Sequence, residues 1–86
     1  MNYKLSHHAQ TQIIARGISL ELIQSVMASP GQVVADTTKG VVYQSKFTGR
    51  SGRSFLLRVC VDDSTNPVTV KTVYVTNRIG KYWRDE

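Results

Sequence analysis

A chain of 86 residues and 9.6 kDa is a single domain's worth of sequence, which excludes a multidomain enzyme and leaves little room for a closed site around a bulky cofactor. With 41% hydrophobic and 20% charged residues it is neither disordered, collagenous nor coiled coil. Eleven Lys and Arg against six Asp and Glu give +5, a balance that suits a polyanionic partner and equally serves solubility alone.

Ser6 is a good N-cap, residues 7–15 contain no Gly or Pro, and Gly17 stands where a left-handed cap closes a helix, so the first helix is expected there. Ser19 caps a second helix over residues 20–28, with Glu21 in its positive first turn, and Ser29, Pro30 and Gly31 stop it. From residue 32 onward β-branched and aromatic residues come in runs, predicting strands over residues 32–36, 41–47, 54–61 and 68–76. The connections at 37–40, 48–53 and 62–67 are hairpin-sized, which makes neighbouring strands antiparallel. The expected fold is therefore α+β, with two N-terminal helices packed on one face of a four-stranded antiparallel sheet. Residues 3–5 are a candidate edge strand, and for residues 77–86 a last strand and a short helix both fit the pattern.

The positive charge concentrates between residues 40 and 61, where Lys46, Arg50, Arg53 and Arg58 stand without an acid. On the first helix His8, Gln12 and Arg16 follow one ridge, a spacing that offers a proton-transfer group and a phosphate-binding fork. A surface histidine and an arginine favoured by the helix C-terminus account for the same ridge structurally. If Val61 lies opposite Val68, Arg58 falls opposite Lys71, and the two cations mark a phosphate site or splay into solvent. The same register places Tyr74 on the helix-covered face, a structural position. In the tail, Tyr82 suits base stacking and Arg78, Lys81 and Arg84 suit phosphates, while Trp83 is expected to pack back on the sheet.

Adjacent His7 and His8 point about 100° apart on a helix, and Cys60 has no second cysteine, so no metal site, disulfide or cofactor is expected. Cys60 reads as an inert strand thiol between Val59 and Val61. The opening MNYKLSHHAQ has no apolar stretch and no segment nears the length of a membrane span, so a reducing, cytoplasmic location is expected.

Ser6-His7-His8-Ala9, Arg16-Gly17-Ile18-Ser19 and the helix ending at Ser29-Pro30, with Tyr43, Leu57-Arg58-Val59, the run from Val70 to Thr76 and Lys81-Tyr82, resemble the small prokaryotic family of domain of unknown function 4258. That family is similar to the RelE and BrnT toxins and to the wider barnase, colicin and RelE group of ribonuclease folds. The resemblance implies a RelE-like fold and metal-independent RNA cleavage by attack of the 2′-hydroxyl on the adjacent phosphate. By position it implies His8, Arg16, Tyr74 and Thr76 as catalytic residues and Arg58, Lys71, Lys81 and Tyr82 as RNA contacts, to which the reading of the tail adds Arg78. The partners it implies are RNA, including ribosome-associated mRNA, and an acidic antitoxin; a homodimer through strand edges is a further expectation. The alternatives are a non-catalytic RNA- or DNA-binding module and a small protein-interaction domain.

Overall fold

The computed structural model describes residues 2–36 and 40–85. In chain order the elements are β1 (Tyr3–Leu5), α1 (His7–Arg16), α2 (Leu20–Ala28), β2 (Gln32–Ala35), β3 (Val41–Thr48), β4 (Ser54–Asp62), β5 (Val68–Thr76) and α3 (Ile79–Tyr82). Of the connection expected over residues 37–40, residues 37–39 lie outside the described residues.

Both long helices form for the reasons their sequence gives. The Ser6 hydroxyl accepts from Ala9 N at the start of α1, and at its end Gly17 adopts φ 62°, with Gly17 N and Ile18 N donating to Ile14 O and Ile13 O. Ser19 caps α2 by accepting from Leu22 N. The inward residues Ala9, Ile13, Ile23, Val26 and Met27 pack with Leu57, Val59, Val61, Val70 and Val73 into one buried cluster, so both helices cover the same sheet face.

The fold is α+β as expected, but the sheet differs from the four antiparallel strands expected. It has five strands in the order β1-β5-β4-β3-β2, and β1 runs parallel to β5. The candidate edge strand at residues 3–5 is that extra member, and the helical pair carries the chain between layers before it returns to the sheet. In the tail, the short helix forms rather than a last strand.

The register between β4 and β5 also corrects the expectation. Val61 lies opposite Val70, not Val68, and Arg58 lies opposite Tyr74, not Lys71. The cause is an irregularity beside Cys60 and Val61: Cys60 pairs with Thr72 and Val61 with Val70, leaving Lys71 as the extra residue of a bulge. The bulge changes the phase of the strand, so that Val70 and Val73, three apart, both reach the core. Tyr74 consequently belongs to the face that the helices leave uncovered, and its expected structural position is overturned.

Candidate functional site

The register places one polar residue from each of four strands in a transverse row on the helix-free face: Gln32 opposite Gln44, Gln44 opposite Arg58, Arg58 opposite Tyr74. These neighbours are joined side chain to side chain. Gln44 Nε2 donates to Gln32 Oε1 at 2.9 Å, Arg58 Nε donates to Gln44 Oε1 at 2.9 Å, and an Arg58 Nη donates to the Tyr74 hydroxyl. Gln44 is fully buried, and a buried amide is tolerated because its donors and acceptor are all used.

The C-terminal segment closes over this row. Arg84 N donates to Gln32 Oε1, Gln32 Nε2 donates back to Arg84 O, and Gln44 Nε2 also donates to Tyr82 O. The Tyr82 ring lies 4.2 Å from the Arg58 guanidinium carbon and meets Tyr74 edge-on. Trp83 packs back as expected, its ring beneath Lys46 Nζ at 4.2 Å and against Gly31, where an added Cβ would stand 2.9 Å from the indole.

Beside the row is a cleft of about 360 Å³ lined by Val34, Val42, Cys60, Arg58, Tyr74 and Tyr82, with Asp36, Lys81 and Arg84 at its walls. Lys71 Nζ stands 3.8 Å from an Asp36 carboxylate oxygen. Burial pushes the Tyr74 phenol above its ordinary range against the pull of the Arg58 charge and hydrogen bond. Burial, helped by Asp36, likewise raises the Cys60 thiol, with Arg58 and Lys71 opposing. Both groups are therefore neutral at physiological pH, and Cys60 has the character of an unreactive thiol.

The expected site residues divide between two regions. Arg58, Lys71, Tyr74, Lys81 and Tyr82 gather around the cleft. His8 and Arg16 lie on α1, which packs on the opposite face, and His8 is exposed there. Arg16 Nη donates to Val73 O and Gln12 Oε1 accepts from Val73 N, so these two side chains complete the hydrogen bonding of β5 where β1 has ended. Thr76 accepts from Arg78 N at the turn into α3, and Arg78 is exposed. Gln32, Gln44 and Asp36 were missed. A buried glutamine has no periodic signature, but the three-residue step from Val70 to Val73 was a readable sign of the bulge that assembles the row.

Among the described residues no cluster of His, Cys, Asp and Glu could hold a metal ion, and no helix is long and apolar enough to cross a membrane. Comparisons with protein-family models, with curated proteins and with solved structures found no match.

Proposed function

We propose that the chain is a RelE-like, metal-independent endoribonuclease whose site is the Arg58–Tyr74 pair on the helix-free face. The observation that carries this reading is the fixed guanidinium: its bonds to Gln44 and Tyr74 engage two of its N–H donors, and the others suit phosphate oxygens. Lys81 and Arg84 beside it suit the neighbouring phosphates of a single strand, and Tyr82 a base. Because the Tyr74 oxygen already accepts from Arg58, its own proton points elsewhere and is available to a substrate.

The reaction balances with these groups. Asp36, the carboxylate of the cleft, takes the 2′-hydroxyl proton as that oxygen attacks phosphorus. Arg58 stabilises the charge on the phosphorane, and Tyr74 donates its proton to the departing 5′-oxygen. The products are a 2′,3′-cyclic phosphate and a 5′-hydroxyl, and proton exchange with solvent restores both groups. Tyr74 and Arg58 thus take the proton-transfer and phosphate-binding roles that the ridge on the first helix offered for His8 and Arg16. A binding module without catalysis is the second reading, favoured by the Tyr82 ring, which covers one face of Arg58.

The test is cleavage of end-labelled RNA in excess chelator. Tyr74→Phe should slow cleavage by about 10²–10³-fold with little change in RNA affinity. Arg58→Met should lose both, and His8→Ala and Arg16→Ala should retain both. Loss of cleavage in the α1 variants alone would move the site to that helix. A wild-type protein that binds RNA without cutting it, free or on translating ribosomes, would leave the binding module.

A further inference from the structure

The hydrogen bonds of the transverse row have a fixed direction. Arg58 can only donate, so the Gln44 atom facing it must be Oε1. Gln44 Nε2 then points to Gln32 and to Tyr82 O, which requires Gln32 to present Oε1 toward Gln44 and Nε2 toward Arg84 O. Turning either amide over would set donor against donor or acceptor against acceptor in a buried row. The charge on β4 thereby dictates how the main chain near the C-terminus is held. Arg58 also reaches the same segment directly, through the Tyr82 ring.

We propose that Gln44 is the positioning residue of the Arg58 site and couples it to the segment spanning residues 79–85, so that the guanidinium fork and the docked segment order together. This rests on the reading of Arg58 as the phosphate-binding group. Coupling of this kind is reciprocal: whatever fixes the segment presents the fork ready for a phosphate, and a bound phosphate holds the segment down. The site is then complete only when Tyr82 and Arg84 are in place.

Trp83, the sole tryptophan, reports docking without any reference to activity. Emission and iodide quenching of Trp83 are to be measured without RNA in the wild type and in Gln44→Met, Gln44→Glu and Arg58→Met, with folding checked by circular dichroism. Binding of a labelled oligouridylate is measured in parallel. Gln44→Met, which keeps the volume but loses every bond, should move Trp83 toward the emission of an exposed indole and weaken oligonucleotide binding about tenfold. Gln44→Glu keeps the acceptor for Arg58 but loses the donors to Gln32 and Tyr82, so it should move Trp83 and weaken oligonucleotide binding together. Arg58 is held by Gln44, Tyr74 and Tyr82, and Arg58→Met should shift the Trp83 emission as well. Wild-type emission in Arg58→Met and Gln44→Met would overturn the coupling, and unchanged affinity in Gln44→Met would overturn the positioning role. A wild type that binds no oligonucleotide would overturn the functional reading and the positioning role together, while the emission shifts would still decide the coupling.

Discussion

Gly40 shows how narrowly single positions constrain this fold. It adopts φ 90° at the end of the β2–β3 hairpin, and a Cβ built there would stand 2.1 Å from Val61 O on the neighbouring strand. Neither the backbone angle nor the contact admits a side chain. Gly40→Ala should therefore cost about 3 kcal/mol or more, read from the denaturant midpoint at unchanged m-value. Gly17 has a comparable φ of 62° but open space around it, so its requirement is conformational alone. At the same scale, Arg58 and Tyr82 could be named from residue type and position and Tyr74 only from the family resemblance, whereas Gln44 could not be named at all. An amide in a strand looks the same in sequence whether it faces water or is fully buried at the centre of a polar row.

At the scale of elements, α1 does more than cover the core. Ser6 caps it by accepting from Ala9 N while its hydroxyl donates to Lys71 O on β5 at 3.1 Å. One side chain thus ties the helix start to the bulged strand. Ser6→Ala removes the cap and the bond to the Lys71 carbonyl, which should cost about 1–2 kcal/mol and lower the melting temperature by roughly 5–15 °C. Gln12 and Arg16 continue the seam at Val73, doing with side chains what a longer β1 would have done with backbone. The bulge at Lys71 is the element-scale feature with the largest consequence, because its single extra residue moves Tyr74 from the covered face to the open one.

Over the whole molecule the helices make one side of the sheet apolar and leave the other to polar and charged groups roofed by the C-terminal segment. That partition has a pH consequence. Burial raises the pKa values of Tyr74 and Cys60 in the folded chain above their ordinary values of 10.0 and 9.0, so the folded state retains their protons more firmly than the unfolded state does. Their contribution to stability is fully present below pH 9 and is lost as pH rises through 9 and 10 toward the raised values. Urea titrations from pH 7 to 11 should show stability falling above pH 9, with a shallower fall in a Tyr74→Phe/Cys60→Ala double variant. An equal slope in that variant would assign the alkaline loss to other groups.

The sequence by itself determined the two capped helices, the four long strands to within a residue or two at each end, and the membership of an α+β class. These depend on neighbours a few positions apart: a hydroxyl before a helix, a glycine after it, and runs of β-branched residues. The faces of the strands were not determined in the same way, because alternation specifies a face only while the count of residues stays in phase. One bulge in β5 broke that phase, and the parallel pairing of β1 depended on where the helices returned the chain. The row from Gln32 to Tyr74 exists because four distant strands share one register, and only the tertiary structure brings those positions into hydrogen-bonding distance.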